Sequence, residues 1–390
     1  MPLKRKSIVF IINHLAFFVS HRLPIAIRAL EEGYKVSLIT GKSASLILDK
    51  EARQKIKKYD ISIKTVQFSS TGTNPIRELL GIIQISILLK KIKPNLVHCA
   101  SPKGVIYGGI ASKVAKIEAI VFAISGMGYA FTKRNSCLKK TLSSIFFLIG
   151  RFSFSHKNKI VIVQNNDDYN ILKEHKLAKK SEMILIEGSG INLKNFENIN
   201  LDLKEKIILF PARIMKDKGI YEFVNAVKIL CVKYDNWKFI VAGTHDYESP
   251  NSIKKNIITD WKKIKNLQFL GHLHTEDMNN LYKLSSIVCL PSYREGLPKS
   301  LLEAQAAGCP VITADTVGCR DAIINNETGY LVPPYNSSEI VKKIELLINN
   351  SRLRKELGTK GINNANKKFG IDQILEKIFN SYEKLLNKNF

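Results

Sequence analysis

Short apolar runs recur along this chain, each followed by a longer amphipathic stretch. That alternation restricts the fold to parallel β/α units whose sheets are covered on both faces. SIVFIIN (7–13) reads as a strand, HRLPIAIRALEEG (21–33) as a helix closed by Gly33, and KVSLIT (35–40) as the next strand. A helix over about 75–92 precedes the strand NLVHCA (95–100), a helix near 104–116 and the strand AIVFAIS (119–125); KIVIVQN (159–165) and EMILIEG (182–188) continue the sheet. The polar stretch GSGINLKNFENINLDLKEK interrupts the pattern, which restarts at IILFPAR (207–213) and runs on through WKFIVAG (237–243), NLQFLG (266–271), SIVCLPS (286–292) and PVITAD (310–315). A chain of 390 residues is also too long for one ordinary core. The expectation is an α/β protein of two doubly wound domains, 1–195 and 200–371, with a C-terminal helix at about 372–390 returning to the first. Doubly wound sheets bind ligands at the carboxyl ends of their strands, so the cleft between the domains is the expected site.

The formal charge is +26, and residues 1–200 carry most of it, with 32 Lys/Arg against 13 Asp/Glu. Such a field attracts nucleic acid, anionic lipid or phosphorylated substrates. Nucleic-acid binding calls for stacking aromatics set among clustered arginines, whereas the cations here are mostly lysines scattered over several helices, so no nucleic-acid partner is expected. The six cysteines form no CxxC pair and have no histidine at metal-ligand spacing, which predicts buried thiols in a reducing cytosol and no metal site. The apolar run in MPLKRKSIVFIINHL is too short for a membrane span and has no small-residue cleavage site, consistent with a cytoplasmic chain.

The densest cluster of candidate residues is PSYREGLPKSLLEAQAAGCPVITAD (291–315). A strand ends at Ser292, a short acidic loop follows, and a helix is predicted to start at Pro298, where a missing N–H costs little, and to stop at Gly308. Glu295 then lies in the loop and Glu303 inside the helix. Backbone amides around Gly296, Leu297 and Lys299 open a helix N-terminus suited to a phosphate or a sugar hydroxyl, and a carboxylate can accept from two vicinal hydroxyls. The competing reading makes Glu295 a helix cap and Glu303 a solvated residue.

In FPARIMKDKGIYEF (210–223), Arg213 and Lys218 flank a strand-to-helix turn, with Lys216 a competitor. Fixed cations at a strand end suit a diphosphate leaving group, whose charge grows as its bond to a sugar breaks. An ordinary basic loop is the alternative.

These segments, with FLGHLHTEDMNNLY and ETGYLVPP, resemble glycosyltransferase family 4, a retaining family of GT-B fold in which two Rossmann-like domains face each other across a cleft. SHRLPIAIRALEEGYKV, PNLVHCASPKG, SGMGYAFT and GSGINL are similar to its branch that builds capsules, O-antigens and glycan precursors on polyprenyl lipids. The resemblance implies that Arg213 and Lys218 hold the diphosphate of a nucleotide-sugar donor, with UDP as the nucleotide, and that Glu303 binds the ribose. It implies that Glu295, with the amides of Gly296 and Leu297, holds the transferred sugar, a hexose or N-acetylhexosamine. It implies retention of configuration by front-face attack, without metal or other cofactor, on a lipid-linked glycan acceptor. The family's Gly-rich turn after the first strand is replaced here by NHLAFF (13–18), and its histidine after an N-domain strand by Ser125. Ser125 and the neighbouring His98 are the acceptor-side candidates, although a lone histidine is as readily a packed one.

Residues 130–159 hold seven cations, Lys133, Arg134, Lys139, Lys140, Arg151, Lys157 and Lys159, interleaved with apolar residues and without an acid. That pattern suits a helix in a lipid headgroup region, and with the basic N-terminal half it predicts peripheral association with the anionic inner face of the cell membrane. A core helix with a solvated basic face is the other reading. A sugar-nucleotide epimerase of related architecture, needing no acceptor, is the alternative enzyme; a basic nucleic-acid-binding protein is the non-enzymatic one.

Overall fold

The structure is a computed structural model and describes residues 6–43, 45–69, 74–126, 147–245 and 251–387. The chain divides into two units, residues 1–189 with 372–390, and residues 190–371. Of the basic segment, residues 130–146 lie outside the described residues.

The first unit is built on a parallel sheet of seven strands in the order β3-β2-β1-β4-β5-β6-β7. These are β1 (Ser7–Ile12), β2 (Lys35–Lys42), β3 (Ile61–Ser69), β4 (Leu96–Ala100), β5 (Ala119–Ile124), β6 (Lys159–Val163) and β7 (Met183–Leu185). Side chains alternate between faces along a strand. Thus Ile8, Phe10 and Ile12 of β1 enter one apolar cluster, and Val9 and Ile11 the cluster on the opposite face. Both faces are buried, so the inner strands read as continuous apolar runs. The helix Ile371–Leu386 lays Ile374, Ile378, Phe379, Tyr382 and Leu385 into the first cluster.

The sequence expectation needs one local correction. The helix expected at 21–33 is present as Leu23–Glu31, and a separate helix, Leu15–His21, takes up much of the presumed turn at 13–18. His14 initiates the latter, its Nδ1 accepting from the amide of Phe17 at 3.2 Å. Pro24 has no N–H with which to continue that helix and sits at the start of Leu23–Glu31, where none is needed.

The second unit holds a six-stranded sheet, all parallel, in the order β10-β9-β8-β11-β12-β13. Its strands are β8 (Glu205–Phe210), β9 (Lys238–Ala242), β10 (Leu267–Gly271), β11 (Ser285–Leu290), β12 (Val311–Ala314) and β13 (Gly329–Val332). Strand order reverses between β8 and β11, where helices leave for opposite faces and a crevice opens at the carboxyl ends. The five described cysteines, Cys99, Cys231, Cys289, Cys309 and Cys319, are free and buried. Among the described residues no helix is long and apolar enough to cross a membrane.

Candidate active site

The loops that leave β8 and β11 meet at this crevice. After β8 the chain runs through Arg213, makes a short turn at Lys216–Lys218 and enters the helix Ile220–Lys233 through Gly219, at φ +73°. A Cβ at Gly219 would lie 2.2 Å from the carbonyl oxygen of Pro291, so only glycine permits both the left-handed turn and this approach. The amide of Tyr293 donates to the carbonyl of Asp217 at 2.8 Å. Beside it, Lys218 Nζ donates to Glu295 Oε1 at 2.5 Å, with each side chain only 16% exposed. A pair so withdrawn from water is weakly screened by salt.

A third loop, following β12, fixes the backbone that carries Glu295. The amide of Glu295 donates to the carbonyl of Val317 at 3.0 Å, and Thr316 Oγ1 donates to the carbonyl of Ser292 at 2.7 Å. Gly318, at φ +77°, brings its own backbone so close that a Cβ there would be 2.4 Å from the carbonyl oxygens of both Glu295 and Gly296. Glu295 is therefore held from two sides before any ligand arrives.

The helix Lys299–Ala306 begins one residue later than expected, with Pro298 as its cap and no side chain capping it. Gly296 and Leu297, both buried, lead into that N-terminus, whose amides give it a positive dipole end. Glu303 is not solvated. It lies one turn into the helix with 18% of its side chain exposed, and Lys299 Nζ stands 3.5 Å from its Oε1. Burial raises the Glu303 carboxyl above its ordinary value, and Lys299 opposes the rise. Arg213 is exposed on the β8 loop, as is Lys216, whereas Lys218 is the lysine drawn in against Glu295.

The two acceptor-side candidates belong to the first unit and differ in character. Ser125 follows β5 at the carboxyl end of the sheet and is partly exposed. His98 has no exposed surface, packs its ring against Phe10 and shares a hydrogen bond between Nδ1 and the Tyr382 hydroxyl at 2.7 Å. Burial, reinforced by the nearby Arg22 charge, holds its pKa well below the usual histidine value. His98 is thus a neutral core residue that presents no surface to an acceptor.

One element of the site escaped the sequence reading. Tyr293 Oη lies 2.8 Å from both carboxylate oxygens of Glu222, a residue only 9% exposed. The contact ties the Glu295 loop to the first turn of the helix Ile220–Lys233. The signal available was an acid at position 222 sharing a helix face with the apolar Ala226, four residues on.

Comparisons with known proteins identify the family of the two domains. Residues 192–364 match the family described as "Glycosyl transferases group 1", and residues 7–165 that described as "Glycosyl transferase 4-like". The chain is 26% identical over 348 residues to the capsular polysaccharide biosynthesis glycosyltransferase CapM of Staphylococcus aureus, covering 86% of this chain and 89% of CapM. It is 26% identical over 372 residues to the N,N'-diacetylbacillosaminyl-diphospho-undecaprenol alpha-1,3-N-acetylgalactosaminyltransferase of Campylobacter jejuni, covering 91% and 93% of the two chains. A crystal structure of a glycosyltransferase from Rickettsia africae superposes with a TM-score of 0.73 at 21% identity, covering 99% of this chain and 100% of the other. With two parallel-sheet α/β domains, and family matches that take in most of both, the chain belongs to the GT-B glycosyltransferases, with a group 1 C-terminal domain and a 4-like N-terminal one.

Proposed function

We propose that this enzyme transfers a hexose or N-acetylhexosamine from a nucleotide-diphosphate sugar, with UDP as the nucleotide, to a polyprenyl-diphosphate-linked glycan. The transfer retains anomeric configuration and serves surface-polysaccharide or glycan-precursor synthesis at the inner face of the membrane. The observation that carries the donor half of this reading is the Lys218–Glu295 pair at the β8/β11 switch point. In this reading Lys218 is the cation for the diphosphate and Glu295 the carboxylate for the sugar. The acceptor half is supported by the relatives, one named for capsule synthesis and one for an undecaprenol-diphosphate-linked substrate.

The bond between the anomeric carbon and the diphosphate oxygen breaks while the acceptor oxygen attacks from the same face, and the departing phosphate oxygen takes the acceptor proton. Lys218 and Arg213 neutralise the charge that develops on the diphosphate. Glu295 accepts from sugar hydroxyls, the amides of Gly296 and Leu297 donate to the sugar, and Glu303 accepts from the ribose. No metal is required in this scheme.

The test is a panel of UDP-, GDP- and ADP-sugars offered to the purified enzyme with short-chain polyprenyl-diphosphate glycans, in the presence of a chelator. Transfer from a UDP-sugar with the α or β configuration of the donor preserved is the expected result. Inverted product overturns the retaining mechanism, and loss of activity on chelation overturns the metal-free one. Conversion of the donor sugar without any acceptor indicates an epimerase instead.

A further inference from the structure

On the helix Pro75–Ile92, which follows β3 in the first unit, Ile76, Leu79, Leu80, Ile83 and Ile87 are each between 43 and 71% exposed. Their spacing of three and four residues places them on one face, while Gly81, Ile85, Ser86 and Leu89 pack inward. From Ile76 to Ile87 the eleven rises of about 1.5 Å each make a stripe about 16 Å long. An apolar band of this length on a water-facing helix marks an interaction surface.

We propose that this stripe seats the enzyme in the interface of an anionic lipid bilayer, with the helix lying in the membrane plane. The inference deepens the proposed function and rests on its lipid-linked acceptor. Three observations select lipid as the occupant. The same face ends in the exposed Lys90 and Lys91, at three and four residues beyond Ile87, so cations flank the apolar band where headgroup phosphates would lie. The first-turn acid Glu78 is withdrawn, 12% exposed and paired with Lys103 Nζ at 2.9 Å, so it presents little negative charge to the surface. Finally, residues 1–200 hold 32 cations against 13 acids, which attracts an anionic bilayer and opposes a second copy of the same face.

The stripe also lies where the acceptor is expected. A helix that follows a parallel strand starts at the carboxyl end of the sheet, so Ile76 and Leu79 stand at the same end as Ser125 after β5. A bilayer met by this helix would present a lipid-anchored glycan at that end. Unlike attraction through basic residues alone, insertion of apolar side chains persists when salt screens the charges.

The experiment is flotation of the full chain with neutral phosphatidylcholine vesicles and with vesicles containing phosphatidylglycerol, at low and high salt. The wild type and a Leu79→Ser, Leu80→Ser, Ile83→Ser variant are compared. The wild type is expected to float with anionic vesicles and to retain a bound fraction at high salt; the variant is expected to lose that salt-resistant fraction while keeping its melting temperature and its affinity for UDP. Equal flotation of the two proteins, or wild-type binding that vanishes completely at high salt, overturns the proposal. So does lipid-free self-association of the wild type that the variant abolishes, which would assign the stripe to a second copy. Transfer to a detergent-solubilised short-chain acceptor is measured alongside. If the wild type inserts but transfers to no lipid-linked acceptor, the functional reading fails and the membrane seat stands.

Discussion

Lys218 Nζ and Glu295 Oε1, 77 residues apart in sequence, stand 2.5 Å from each other across the β8/β11 crevice, each side chain 16% exposed. The carboxylate occupies the cation that the proposed reaction assigns to the diphosphate. In the proposed reaction an arriving diphosphate would compete with Glu295 for Lys218 and so release Glu295 toward the sugar.

The first prediction follows from that competition. Glu295→Gln is expected to lower kcat by about a hundredfold, the scale of losing one transition-state contact, while UDP affinity stays equal or rises. Lys218→Ala and Arg213→Ala are expected to weaken UDP and slow turnover together. Calorimetric titration with UDP beside steady-state kinetics separates these outcomes. Wild-type turnover in Glu295→Gln would remove its role.

The second concerns the clamp between Tyr293 Oη and Glu222, with both carboxylate oxygens at 2.8 Å. Hydrogen bonds to charged groups contribute about 1.5–3 kcal/mol, so Tyr293→Phe should destabilise the protein on that scale and leave a buried carboxylate short of a donor. Tyr293 stands two residues from Glu295, so the variant should also lower kcat more than it weakens UDP binding. A stability loss with unchanged kcat would leave the clamp a purely structural one.

A third prediction uses the raised pKa of Glu303, caused by burial and opposed by Lys299. A carboxyl whose folded pKa is raised binds its proton more tightly in the native state. Its ionised form therefore costs stability at neutral pH, a cost relieved as pH falls through the folded pKa. If the ionised Glu303 accepts from the ribose, as proposed, UDP affinity should begin to fall at a pH above the ordinary carboxylate value of 4.5. Glu303→Gln should bind UDP more weakly and lack this component of the pH dependence. Matching pH profiles for the two proteins would remove Glu303 from the ribose.

What could be read from sequence follows from how completely each element is buried. Inner strands such as β1, β4 and β5 are covered on both faces and appear as unbroken apolar runs. The edge strands β3 and β13 do not: the described part of β3 alternates with polar residues, and β13 is four residues long. The helix Leu15–His21 was hidden because its seven residues are too few to show a helical period. Within the site, Lys218 and Glu295 were recognisable as residue types, but their direct pairing depends on the close approach at Gly219. Glu222 was missed because an acid on an amphipathic helix ordinarily faces water.

The last prediction concerns His98. Its ring is fully buried, its Nδ1 is hydrogen-bonded to the Tyr382 hydroxyl, and burial together with the charge of Arg22 keeps it neutral well below the ordinary pKa of 6.5. In the unfolded chain the same ring takes up a proton as pH falls below 6.5. Over that window the unfolded state binds more protons than the native one, so stability falls as pH falls, by up to about 1.4 kcal/mol per pH unit from this residue. The contribution is fully present above 6.5 and is lost progressively until the folded pKa is reached. Urea unfolding of the wild type and of His98→Gln at a series of pH values down to about 5 isolates it, since every other group titrates in both proteins. The variant is expected to be less stable near neutral pH, through lost packing against Phe10 and Tyr382, and to show a shallower decline on acidification. Parallel stability–pH curves would mean that His98 is protonated in the folded protein. The ring would then have to be open to solvent, and His98 would return to candidacy on the acceptor side.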